Sequence, residues 1–143
     1  MTRRSSLQSY AQTRVTPGQS HDVIEKLLGR IGVELFRWTS AIDREGIEFM
    51  WPRPEGEPVG YRLIICFDSP ARRAQMLRAL FWYLKAKIEA IEFGLLDTEQ
   101  AFLPHMLTPG GQTVFERIQD GGMEALIGPD MIALPPGNDD AQT

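Results

Sequence analysis

The sequence predicts a small α+β domain: a mainly antiparallel sheet covered by one long helix and by shorter C-terminal helices. Three observations lead there. Leu77, Leu80, Phe81, Leu84, Ile88 and Ile91 recur at helical spacing over residues 70–93. Segments rich in β-formers precede that helix with short links between them, and short links join antiparallel strands. The chain has 143 residues, 43% of them apolar. One domain of that size buries roughly two-thirds of its unfolded surface, enough for a core without staples.

The expected element order begins β-α-β-β-β. Tyr10, Gln12 and Arg14 alternate with Ala11, Thr13 and Val15, so a short edge strand is expected over 9–16, closed by a turn at Pro17-Gly18. A helix follows over 21–31. Ser20 and Asp22 are both candidate N-caps, and Asp22 with Glu25 has capping-box spacing. Val23 or Ile24, Leu27, Leu28 and Ile31 give its apolar stripe, and Gly32 is placed to end it.

Three strands come next, over 33–40, 46–51 and 61–67. In the second, Ile47, Phe49 and Trp51 share one face and Glu48 and Met50 the other, with the turn at Asp43-Arg44-Glu45-Gly46. The third is apolar at nearly every position, the pattern of a central strand covered on both faces. The link between them, Pro52 to Pro58, is too proline-rich to pair and reads as an exposed loop.

Asp68 or Ser69 caps the long helix, Pro70 suits its first turn and Gly94 ends it. Unbroken, it is about 36 Å long. Burying its stripe contributes on the order of 10 kcal/mol, an upper figure. Asp97 caps a further helix toward Leu107, interrupted at Pro104. Thr113 with Glu116 opens another through Ile118, and Met123 to Ile127 give one more turn. The domain is thus expected over 9–127, between a flexible N-terminus, 1–8, and a flexible acidic tail, 128–143.

Composition narrows the function. The net charge of −4 argues against general attraction to nucleic acid, though a local basic face can still bind it. The single cysteine, Cys66, forms no disulfide within one chain and reads as a buried strand thiol with no activating base nearby in sequence. The start is basic and polar without the apolar core of a signal peptide, and no stretch reaches the roughly 20 apolar residues of a membrane span. A cytoplasmic location is expected.

Some segments resemble a family of small uncharacterised tailed-phage and prophage proteins. Tyr10-Ala11-Gln12-Thr13-Arg14-Val15 and Ile24-Glu25-Lys26-Leu27-Leu28-Gly29-Arg30-Ile31-Gly32 are similar to its opening. Arg78-Ala79-Leu80, then Leu84-Lys85-Ala86-Lys87-Ile88-Glu89-Ala90-Ile91-Glu92-Phe93-Gly94, resemble its most recognisable stretch. Phe102 to Leu107 and Pro109 to Val114 are similar to its next block. The family typically has Trp where Met76 or Leu77 stands, a longer and more basic middle, and no proline at the position of Pro104. The resemblance implies a viral origin and the cytoplasm of a bacterial host. It supplies no catalytic residues.

The side chains that invite chemistry are few. Arg78, Trp82, Lys85, Glu89 and Glu92 share a helix face away from the Leu77-Leu84-Ile91 stripe, while Lys87 lies toward Tyr83. An exposed Trp82 between two cations can stack a base or anchor a protein. A buried one would be ordinary packing under the C-terminal helices. Arg72 and Arg73 add charge at the helix start, where the dipole disfavours cations. The candidate binding set is therefore Arg72, Arg73, Arg78, Trp82, Lys85 and Lys87.

Other motifs carry less. Pro109-Gly110-Gly111-Gln112-Thr113 lacks the Gly-Lys-Ser/Thr ending of a phosphate loop and reads as a turn with a cap. His21 and His105 have no second His or Cys at ligand spacing. Trp51 reads as packing at the end of the sheet, or else as an exposed anchor beside the proline loop. No catalytic set, metal or cofactor is expected.

The expected role is non-enzymatic binding of a host protein, such as a defence protein, or of a signalling nucleotide. The alternative is a nucleic-acid-binding factor in phage replication or recombination. An enzyme with a site assembled from scattered residues stays open, as does a homo-oligomer.

Overall fold

A computed structural model describes residues 9–128. Helix α1 spans Pro17–Arg30 and begins before the expected position 21. Its cap is Thr16. The Thr16 hydroxyl accepts from the Gln19 N–H at 3.2 Å, and the Thr16 N–H donates to Gln19 Oε1 at 2.9 Å. This reciprocal box satisfies first-turn donors, and Pro17 supplies a φ already suited to a helix. Ile24, Leu27 and Leu28 are buried, and Gly32 has the left-handed φ of 92°.

The early helix start corrects the expected first strand. Residues 9–12 form a turn with Tyr10 at φ 61°, and no ladder forms over 9–16. Alternation alone makes no strand where no described strand lies alongside to pair with it.

The sheet has three strands, β1 Leu35–Ser40, β2 Arg44–Trp51 and β3 Val59–Cys66, in the antiparallel order β1-β2-β3. The meander is as expected, but β2 is the central strand. The Ala41 N–H donates to the Arg44 carbonyl at 2.8 Å, so the turn lies two residues earlier than expected and Glu45 joins the ladder. Glu45, Ile47 and Phe49 point into the core opposite Ile65, Leu63 and Tyr61. Arg62, Ile64 and Cys66 point to the other face, where Ile64 is 53% exposed and Cys66 is exposed. The expectations of a doubly covered β3 and a buried Cys66 are therefore both corrected. Continuous apolarity mimics burial on two faces, but among the described residues no layer covers Ile64.

Helix α2, Pro70–Glu92, lies with α1 on the core face of the sheet. Ser69 is its cap, accepting from the Arg72 N–H at 3.1 Å. Leu77, Leu80, Leu84 and Ile88 are buried, with Phe81 and Ile91 half-buried at the margins. Gly94, at φ 77°, follows its end.

Helix α3, Thr98–Phe102, has the expected Asp97 cap but stops short of Leu107. The chain tightens into a 3-10 turn over Leu103–His105, because Pro104 has no N–H to continue an α-helix. Phe102 packs edge-on against Phe49 and beside Trp51 and Tyr61, which places Trp51 in the aromatic end of the core. Met106 bridges to Tyr61, and Leu107 to Thr113. Helix α4, Val114–Gly121, carries the expected Thr113–Glu116 box, and a 3-10 turn spans Met123–Leu126. The expected N-terminal and acidic-tail segments lie outside the described residues, apart from Gly128.

Candidate functional site

The structure divides the six candidate side chains among four places. Arg78, Trp82 and Lys85 come together on the outer face of α2. The Arg78 guanidinium lies 4.8 Å from the Phe81 ring centre and 5.2 Å from that of Trp82. The Lys85 ammonium lies 5.5 Å from the Trp82 ring and is also paired with Glu89. Trp82 is 40% exposed. Spacings of three and four residues along one helix bring these groups into line. Among the described residues, Arg78 has aromatic partners but no carboxylate. Glu92 pairs with Arg30 of α1 at 2.8 Å. The face is thus aromatic at its centre and mixed in charge around it.

The other three cations are engaged elsewhere. Arg72 donates to Gln75 Oε1 at 2.6 Å. Lys87 lies 5.0 Å over the Tyr83 ring, on the flank the sequence indicated. Arg73 turns inward and grips Glu45 with two hydrogen bonds, of 2.8 and 3.1 Å.

Glu45 is the residue that the sequence reading missed. Its side chain is fully buried at the core face of β2, and three other elements converge on it. Besides Arg73 from α2, the Ser40 hydroxyl of β1 donates at 3.1 Å, and His21 Nε2 of α1 lies 2.8 Å away. The His21 ring stacks on Trp38 at 3.8 Å, and Trp38 donates to Glu25 at 3.1 Å. Burial alone would raise the Glu45 pKa. The Arg73 hydrogen bonds, the His21 and Arg73 charges and the Ser40 hydroxyl outweigh it, and the net shift is downward. Glu45 in return holds Arg73 above the ordinary guanidinium value. The period-two pattern of β2, carried back two residues from Ile47, places Glu45 on the core face. That was the available signal.

A second cluster also escaped the reading because its parts are far apart in sequence. Tyr83 Oη and His105 Nε2 lie 2.8 Å apart, beside a cavity of about 400 Å³ between β3, α2 and the start of α4. Burial, with Lys87 nearby, holds the His105 pKa below its ordinary value. Arg62 crosses to α4, bonding Glu116 at 2.9 Å and the Gly111 carbonyl at 3.0 Å. Glu116 is lowered by that hydrogen bond and by those of Thr113. Among the described residues no three His, Cys, Asp or Glu side chains gather as a metal site, and no helix is long and apolar enough to cross a membrane.

The chain matches no protein-family model, no curated protein and no solved structure.

Proposed function

We propose that this chain acts by binding, as a phage or prophage accessory protein whose α2 face contacts a host protein, such as a defence component. The carrying observation is the half-exposed Trp82 with Arg78 against it and, among the described residues, no carboxylate on that arginine. Trp and Arg are the residues that concentrate binding energy at protein interfaces. An arginine already resting on aromatic rings loses little further freedom when a partner docks. The resemblance to phage proteins supports the setting.

Protein contact is favoured over nucleotide contact on two grounds. The Trp82 ring already carries two cations of its own, which compete with a stacking base for the ring. A nucleic-acid face also wants unopposed cations along a phosphate track. Here Arg73 is occupied by Glu45, and Lys85 by Glu89.

Affinity capture from host lysate tests the reading, with Arg78→Ala and Trp82→Ala proteins run beside the wild type. A host protein retained by the wild type and lost with both variants supports it. Low-salt gel shifts with DNA and RNA, and thermal shifts with cyclic nucleotides, test the competing ligands. A salt-sensitive nucleic-acid complex weakened by Arg78→Ala and Lys85→Ala overturns it in favour of the replication or recombination role. Turnover in a nucleotide panel overturns the non-enzymatic reading.

A further inference from the structure

We infer that the outer edge of β3 takes an extended peptide strand from a partner, seated in the cleft between β3 and α2. The ladder gives the direction of the backbone groups. In an antiparallel strand, alternate residues send both N–H and C=O to the same side. The Gly60 carbonyl accepts from the Leu107 N–H at 2.7 Å, away from β2. Arg62, Ile64 and Cys66 therefore face that same outer edge. On the inner side, the Phe67 N–H donates to the Asp43 carbonyl at 3.0 Å, which fits this alternation.

The chain itself begins to fill the edge and then leaves it. Met106 and Leu107 run antiparallel beside Tyr61 and Gly60. Traced backward, the segment turns away through the 3-10 turn that contains Pro104. Proline has no N–H to offer a ladder. Beyond that point, no described residue pairs with the outward backbone of Ile64 or Cys66. An incoming strand would continue the line that Met106 and Leu107 start.

The space beside this edge fits that occupant. The 400 Å³ cavity touches Leu63, Ile64 and Ile65. Its opposite walls carry Met76, Ala79 and Leu80 of α2, and Phe115 of α4. The Tyr83–His105 pair gives a polar end. Backbone pairing supplies affinity, and the apolar walls select medium-sized apolar side chains. The partner segment is about four residues, roughly 13 Å, with apolar side chains facing the cleft. This site is separate from the Trp82 face and does not depend on it.

The test uses the full chain and the peptide acetyl-Glu-Val-Thr-Ile-Thr-Glu-amide at about 1 mM, followed by amide NMR. The Ile64 and Cys66 amides are expected to exchange about tenfold more slowly with peptide bound. Two further peptides carry N-methyl groups on the threonines, or on the valine and isoleucine. One of them must lose binding, because one set of amides faces β3. Ala79→Phe fills the cleft and is expected to abolish the shifts, its fold being checked by circular dichroism. Unchanged Ile64 and Cys66 amides with the parent peptide overturn the proposal. So does equal binding of both methylated forms, which would make the cleft a side-chain pocket without strand pairing. A free protein that is already dimeric with those amides protected overturns it in favour of a second copy on this edge.

Discussion

Arg73 and Glu45 stand 28 positions apart and meet through two hydrogen bonds, Nε to Oε2 at 2.8 Å and Nη2 to Oε1 at 3.1 Å. The contact fastens the start of α2 to the central strand. His21 and Ser40 reach the same carboxylate from α1 and β1.

Arg73→Ala leaves a buried carboxylate without its main partner, and a loss of about 3–5 kcal/mol is expected. Arg73→Met with Glu45→Met removes the charge as well as the partner. The double variant is expected to lose less than the two single variants added together. Urea denaturation of the wild type, Arg73→Ala, the two single Met variants and their double reads both outcomes.

Acid should release the same contact. The folded Glu45 pKa lies below its ordinary value of 4.5. Its stabilising contribution is therefore complete above that value and is lost as pH falls through the lower, folded one. The Tm gap between wild type and Glu45→Gln is expected to stay constant near neutrality and to close at acid pH.

His105 acts at milder pH. Its folded pKa lies below the ordinary 6.5, first through burial and then through Lys87. As pH falls below 6.5, the unfolded chain takes up the proton first, and stability declines toward the folded value. His105→Gln is expected to flatten the Tm profile in this window.

Trp82→Ala should separate binding from folding. The ring is half-exposed and its cation contacts are worth about 0.5–1 kcal/mol each. A stability loss of about 1–2 kcal/mol is expected in urea. Loss of 2 kcal/mol or more of binding energy, about 30-fold in Kd, is expected for the captured partner by calorimetry.

Cys66 is exposed at the end of β3. Native protein should alkylate with iodoacetamide at a rate close to that of the urea-unfolded chain. A strongly protected thiol would contradict the exposed placement.

The sequence by itself determined the parts whose causes are local. The apolar stripe of α2, the Asp97 and Thr113 caps, the glycine stops at Gly32 and Gly94, and the alternation from Ile47 to Trp51 all act within a few residues. The face carrying Arg78, Trp82 and Lys85 was legible for the same reason, since helical spacing alone aligns them. The tertiary structure decided which strand is central, how far the described residues cover the β3 edge and which cations are occupied. Glu45, Arg73, His21 and Ser40 come from four elements, and so do the walls of the cleft around Tyr83 and His105. Periodicity tells which side chains share a face of one element. It does not tell which other element arrives opposite that face, because that depends on the path of the whole chain. So Cys66 and Ile64, apolar in a run of apolar residues, face outward, while Glu45, a charge beside a turn, lies at the centre.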